Sequence, residues 1–292
     1  MGMTITQKIA ELGKARLIGN YESNTPEWHA AREGIGGSDI GAIMGKNPWK
    51  SAYTLWAEKS NLIGGVESNL AMRLGTALES PIRDFWLNEN KDWLTVHETG
   101  TWQSVEHAHY KANPDGIIEY TDGTLAILEI KHSRQYWDKL PEAYELQVLW
   151  YMHVLGLKTA IVVALAAGDL KEFKVEYDPE LAERVETAVR AFYGCLEGGV
   201  APDYDGSTST YETVREISEG LTDGEIELDK LYENLYAAKV IFEKAEENLN
   251  LYKATTLAYM NGIKTGLYKG DKVVNLRASK GRPFITFTEK RN

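Results

Sequence analysis

Three residues pose the chemical question: Asp115, Glu129 and Lys131, within the stretch ANPDGIIEYTDGTLAILEIKHSR at 112–134. The stretch reads as two short strands around the turn former Asp122-Gly123. In LAILEIK a period of two puts Leu125, Ile127, Glu129 and Lys131 on one face, with Ala126, Leu128 and Ile130 on the other. Turn length decides whether the two acids meet. A two-residue Asp-Gly turn pairs Asp115 with Ile130 and sends the carboxylates to opposite faces. A three-residue turn, Thr121-Asp122-Gly123 with a left-handed glycine, pairs Tyr120 with Thr124 and sets Asp115 against Glu129. The second register is the one expected here. Opposed carboxylates, with Cβ atoms about 4.5–5.5 Å apart, repel each other. A hard divalent cation, Mg²⁺ or Mn²⁺, offsets that cost because it takes carboxylate and carbonyl oxygens. The blander reading turns one carboxylate to solvent and leaves Lys131 as a surface charge.

The elements that would position these groups are readable in outline. Ser38-Asp39 is expected to cap a short helix ending near Gly45, and Ser51 a second one, SAYTLWAEKSNL. Residues 69–90 have apolar residues at helical spacing, with Pro81 expected to bend or split the helix. Strand-like runs follow in LTVHETGTW, GIIEY and LAILEIK. PEAYELQVLWYMHVLG (141–156) reads as a buried helix with Pro141 in its first turn. TAIVVALAAG and KEFKVEY form a strand pair, and DPELAERVETAVRAFYGCLEGG a capped amphipathic helix. Together these predict an α/β core over 1–205, a mixed sheet flanked by helices. The extension, 206–292, opens with a polar linker at 206–220. A helix free of Gly and Pro follows from Glu225 to Asn261, with apolar residues three and four apart from Leu228 to Tyr259. Such a seam needs a partner helix. The tail reads as a small β-meander.

Bulk properties narrow the class. The 292 residues are 43% hydrophobic and 26% charged, ordinary for a soluble globular protein. No run of about 18 apolar residues predicts a membrane span, and no apolar signal segment opens the chain. Cys195, the single cysteine, excludes an intramolecular disulfide and a four-cysteine iron–sulfur cluster, which suits a reducing cytoplasm. The net charge of −11 argues against a general nucleic-acid coat. Seven of those charges lie in residues 211–252, which leaves room for a local basic groove elsewhere. Lys46, Trp49, Lys50, Arg73, Arg134 and Lys139 are candidates to line it. His29, His132 and His153 lack metal-ligand spacing and read as structural. Trp56, Trp86 and Trp150 read as core.

A family resemblance sharpens this picture. Pro114-Asp115, thirteen residues, then Glu129-Ile130-Lys131 resembles the PD-(D/E)XK nuclease pattern. Glu79, in GTALE, resembles that superfamily's helical metal-ligand glutamate. Gln147 and Tyr151, in QVLWY, resemble the QxxxY motif of its RecB-type subgroup, and their spacing puts both on one helix face. WHAAREGIGGSDIGAIMGKNPWKS (28–51) resembles the opening of YqaJ-type phage recombination exonucleases, relatives of lambda exonuclease; the likeness runs from about Trp28 to Asp178.

The resemblance implies a restriction-endonuclease-like fold and a Mg²⁺-dependent 5′→3′ exonuclease on linear duplex DNA. In that scheme Asp115 bridges two Mg²⁺ ions (Mn²⁺ being an alternative), and Glu79, Glu129 and the Ile130 carbonyl complete the metal sites. Lys131 serves the attacking water, and Gln147 lies near the scissile nucleotide. Arg32, Ser38 and Asn113 hold the 5′-phosphate, and Tyr151 meets the DNA backbone. The implied partners are duplex DNA ends and a single-strand annealing protein of the RecT or Bet kind. The implied assembly is a homo-oligomer, a trimeric ring being the form its relatives suggest, in the cytoplasm of a bacterial host with no membrane association. A structure- or site-specific endonuclease on the same fold is the alternative activity, and a non-catalytic DNA-binding module the third.

Overall fold

The computed structural model describes residues 3–22, 25–65, 69–218 and 220–288. The chain divides into two units, Met1–Glu219 and Gly220–Asn292. The first carries, in order, α1 (Ile5–Glu11), β1 (Ala15–Gly19), α2 (Pro26–Ala31), α3 (Gly37–Ile43), α4 (Ala52–Lys59) and α5 (Leu70–Asn90). Next come β2 (Leu94–His97), β3 (Thr101–Ser104), β4 (Lys111–Ala112), β5 (Gly116–Tyr120) and β6 (Leu125–Ser133). The unit closes with α6 (Glu142–Leu155), β7 (Thr159–Ala166), β8 (Asp169–Glu176), α7 (Pro179–Gly198) and α8 (Thr208–Ile217).

Five strands form the central sheet in the order β2-β5-β6-β7-β8. β6 and β7 run parallel and their outer neighbours antiparallel, so the sheet is mixed. The parallel pair needs a crossover, which α6 supplies. The period of two in β6 gives each face its own helix. Ala126, Leu128 and Ile130 pack with Ile82 and Trp86 of α5. Ile127 joins the other cluster, built around α6 and α7 with Trp150, Met152 and Val189. Trp56, Trp86 and Trp150 are all buried. A second sheet, β1-β3-β4, lies in the same unit.

Two local expectations change. The 69–90 helix runs unbroken through Pro81 as α5, since tertiary packing of Ile82 and Trp86 outweighs the single backbone hydrogen bond the proline omits. The polar stretch 206–220, expected as a linker, instead contains α8, which closes the first unit, so the division falls after residue 219 and not 205. The reason is a shared hydroxyl cluster. Thr54 Oγ1 lies 2.8 Å from Thr213 Oγ1 and 2.7 Å from Ser209 Oγ, while Thr210 Oγ1 donates to Ser51 Oγ at 2.8 Å. Val214 and Ile217 pack on the core beside it. Serines and threonines that read as linker composition are here a buried helix contact.

The second unit holds α9 (Asp229–Met260) and a meander of β9 (Thr265–Tyr268), β10 (Asp271–Ser279) and β11 (Arg282–Phe287), ordered β11-β10-β9. The helix starts at Asp229, four residues inside the Gly- and Pro-free stretch that begins at Glu225. Among the described residues no helix is long and apolar enough to cross a membrane.

Candidate active site

The β5–β6 hairpin adopts the three-residue turn. Gly116 pairs with Leu128 and Glu119 with Leu125, Tyr120 N–H donates to the Thr124 carbonyl, and Gly123 is left-handed at φ +84°. A left-handed residue is needed there, and glycine supplies it without steric cost. One step beyond the ladder, this register sets Asp115 opposite Glu129. The half-buried Asp115 turns its Oδ2 onto the Ile130 N–H at 2.7 Å, across the end of the hairpin.

Glu129 is 2% exposed, an unusual place for a carboxylate. Its Oε1 accepts from Lys131 Nζ at 2.5 Å and from Gln147 Nε2 at 2.6 Å. Its Oε2 is buried with no hydrogen-bond partner. Burial, reinforced by the Asp115 charge, pushes the Glu129 pKa up to about 8. Burial also raises Asp115, against the opposing pull of Lys131. For Lys131 burial opposes the charge, but the Glu129 and Asp115 carboxylates outweigh it and hold its pKa above the ordinary value. The ammonium also stands 5.1 Å from the Tyr144 ring centroid.

Gln147 and Tyr151 occupy one face of α6, as their spacing requires. Gln147 Nε2 reaches Tyr151 Oη at 3.0 Å as well as Glu129. Tyr151, expected at the DNA backbone, is instead buried at 3% exposure beneath α3. A Cβ on Gly37 would stand 2.4 Å from Tyr151 Cε1 and 2.9 Å from the Gln147 carbonyl. Gly37, with Gly41 against Ala143, thus serves the close approach of α3 to α6, and through it the placement of Gln147.

The remaining candidates lie around this centre. Glu79 comes from α5, on the opposite face of the sheet from α6. Its pKa is raised by burial and by Asp115, and Lys131, Arg83 and Arg32 counteract that. Among the described residues no three His, Cys, Asp or Glu side chains are gathered as a ready metal cluster, while Glu79 is near enough to feel the Asp115 charge and to act on Glu129. The Arg32 guanidinium lies 4.2 Å over the Trp28 ring, and its charge is felt at Asp115, Glu79 and Tyr151. Asn113 Oδ1 is buried and unpaired. Ser38 is exposed in the first turn of α3 and is not its cap. Gly36 holds the cap position, and the Asp39 carboxylate accepts its N–H at 2.9 Å. Of the candidate groove residues, Lys46 pairs with Glu142 at 3.0 Å and Lys50 with Glu58 at 2.5 Å, while Trp49 is 73% exposed.

Two contributors escape a reading of the sequence. Arg83, one helical turn after Glu79, acts on both Glu79 and Asp115, and its i+4 spacing from Glu79 was the available signal. Tyr144, under Lys131, carried no such signal.

The donor set suits a hard cation. Two carboxylates share one end of the hairpin, and one of their oxygens is buried without a partner, a costly state unless something positive meets it.

The chain is similar to several known proteins. Residues 27–158 match the YqaJ-like viral recombinase domain. The chain is 32% identical over 224 residues to the protein YqaJ of Bacillus subtilis (strain 168), covering 72% of this chain and 67% of that one. It is 28% identical over 121 residues to protein D345L of African swine fever virus (strain Badajoz 1971 Vero-adapted), covering 40% of this chain but only 32% of the viral protein. Among solved structures it resembles the alkaline exonuclease LHK-Exo of Laribacter hongkongensis, with 26% identity and a TM-score of 0.50 over 60% of this chain and 94% of that one. LHK-Exo in complex with dAMP matches at 25% identity and TM-score 0.50, covering 66% and 97%.

Proposed function

The chain belongs to the YqaJ-like viral recombinase family, and from that premise we propose that it is a divalent-metal-dependent exonuclease, resecting linear duplex DNA from 5′ to 3′ for strand annealing. The observation that carries this reading is the meeting of Asp115, Glu129 and Lys131 at one end of the hairpin, with Glu129 Oε2 buried and unpaired. LHK-Exo offers support, since dAMP is the unit that stepwise hydrolysis would release.

Asp115 and Glu129, joined by Glu79 and the Ile130 carbonyl, are the residues that would hold one or two Mg²⁺ or Mn²⁺ ions. When bound, such ions supply Lewis acidity to the phosphodiester and acidify water. The chain's own groups do the rest. The Lys131 ammonium orients the attacking water and stabilises negative charge growing on the phosphate. Gln147 fixes the Glu129 carboxylate, and Tyr151 in turn holds the Gln147 amide, an indirect positioning role. The Arg32 fork, steadied on Trp28, suits a terminal 5′-phosphate, with Ser38 and Asn113 as further polar contacts. Duplex ends and a single-strand annealing protein are the partners of this reading.

The test offers 5′-phosphorylated linear duplex, 5′-hydroxyl duplex and covalently closed circle, each with Mg²⁺ or with EDTA. The expected result is Mg²⁺-dependent loss of linear duplex, fastest with the 5′-phosphate, and an intact circle. Cleavage of the circle would move the activity to an endonuclease, and digestion in EDTA would remove the metal from the scheme.

A further inference from the structure

The second unit carries a feature the proposed nuclease does not use. Along α9 the seam residues face solvent: Leu231 is 72% exposed, and Leu235, Phe242 and Tyr252 are each 67% exposed. Met260, at the C-terminal end, is the helix's buried residue among those described, lying near Gly266 of the meander. The meander thus leaves the seam open. An apolar stripe at heptad spacing along 32 residues, about 48 Å at 1.5 Å per residue, is a surface built for another helix.

We propose that the seam is closed by α9 of a second copy of this chain, running antiparallel about a two-fold axis between Glu243 and Lys244. Layer by layer, this alignment sets a large residue against a smaller one at the centre. Phe242 meets Ala245 of the other copy and Ala238 meets Leu249, while Leu235 meets Tyr252. A parallel, in-register pair would instead stack Phe242 on Phe242 and Ala238 on Ala238, alternating crowded and empty layers, which costs packing energy in both directions.

The flanking charges select the same register. In the antiparallel pair Lys239 faces Glu246 of the other copy, and Lys253 faces the Tyr232 ring, a favourable cation–π partner. Symmetry makes each of these contacts occur twice. Sliding the partner by one heptad in one direction puts Lys239 on Lys239. Sliding it the other way puts Glu246 on Glu246 and Lys239 on Lys253. Both slips bring like charges together, so the flanks exclude the neighbouring registers. In the parallel pair Lys239 would meet only Asn234. Within its own helix Lys239 pairs with Glu243 at 2.9 Å, an exposed i,i+4 contact of small worth that does not hold it back.

Single-cysteine variants of the full chain test this, made in a Cys195→Ala background so that any disulfide must join two chains. Ala238→Cys and Leu249→Cys are each oxidised alone and after mixing under reducing conditions. Disulfide-linked dimer is expected in the mixture and absent from either variant alone. Linkage within Ala238→Cys alone would establish the parallel arrangement and overturn the proposal. Absence of linkage in all three samples would overturn it too, leaving the seam to a different protein. In sedimentation, Lys239→Glu and Glu246→Lys should each raise the dissociation constant several-fold, and the double variant should restore it. Failure of the double variant to recover would remove the register.

Discussion

In Met1–Glu219 the groups out of their usual place are charges, while in Gly220–Asn292 they are apolar side chains. Glu129 is buried to 2% exposure inside a sheet whose other faces hold isoleucine, valine and tryptophan. In α9, Leu231 and Phe242 are 72% and 67% exposed. The first departure costs desolvation and is tolerable only beside Lys131 and with the prospect of a cation. The second is tolerable only with the prospect of another helix. Each unit's own fold thus leaves one kind of group unsatisfied, a charge in one and a hydrocarbon stripe in the other.

The sharpest way to break this contrast is at Lys131. Lys131→Ala should lower the single-turnover rate on 5′-phosphorylated duplex by about 10²–10⁴-fold, measured on protein shown by circular dichroism to be folded. A rate within a factor of two of the parent would detach the buried charges from catalysis. In the hydrophobic core of the same unit, Trp102→Ala should cost about 3–5 kcal/mol in urea unfolding, because Trp102 is fully buried and leaves a cavity.

Next in size is a pH effect on the metal-free protein. Glu129 has its pKa raised by burial and by Asp115 from 4.5 to about 8, so between those values the folded state holds a proton that the unfolded state has released. Stability should be greatest below about 4.5 on this account and fall as pH rises towards 8. Glu129→Gln should flatten that slope in thermal melts under EDTA, and Mg²⁺ should raise the parent's melting temperature most at the alkaline end. A parent and variant with parallel pH profiles would show that the carboxylate is not strained by its site.

Smaller still, Thr213→Val should cost about 1 kcal/mol by removing a hydroxyl from the cluster that joins α8 to α4. No change in urea unfolding would return 206–220 to the status of linker. Smallest of all, Leu235→Ala in α9, at concentrations where the chain is monomeric, should stay within about 0.5 kcal/mol of the parent. A loss as large as that of Trp102→Ala would mean that the seam is already covered within one chain.

Much of the site was legible because it rests on local geometry. Gly123 can take the left-handed conformation that a three-residue turn needs, and the period of two then carries Asp115 and Glu129 to the same place. The i, i+4 spacing of Gln147 and Tyr151 placed them on one face of α6 for the same reason. What escaped depends on contacts distant in sequence. Tyr151, which the resemblance assigns to the DNA backbone, is covered where α3 lies across it at Gly37. Ser38 is a miss of another kind, local in sequence: the Asp39 carboxylate three residues on binds the Gly36 N–H and makes Gly36 the cap. The serines and threonines of 207–213 carry the composition of a linker, and only α4 reveals them as a buried contact. Arg83 lies one helical turn from Glu79, but its action on Asp115 crosses space between segments distant in the chain.

By itself the sequence determined the hairpin and the helix faces and favoured the register, since turn chemistry and side-chain periodicity act over a few residues, while its motifs carried the resemblance to the family. Tertiary structure decided how deeply Glu129 is buried, which oxygen stays without a partner and where the first unit ends. Those depend on the exclusion of water by elements that meet only once the chain has folded.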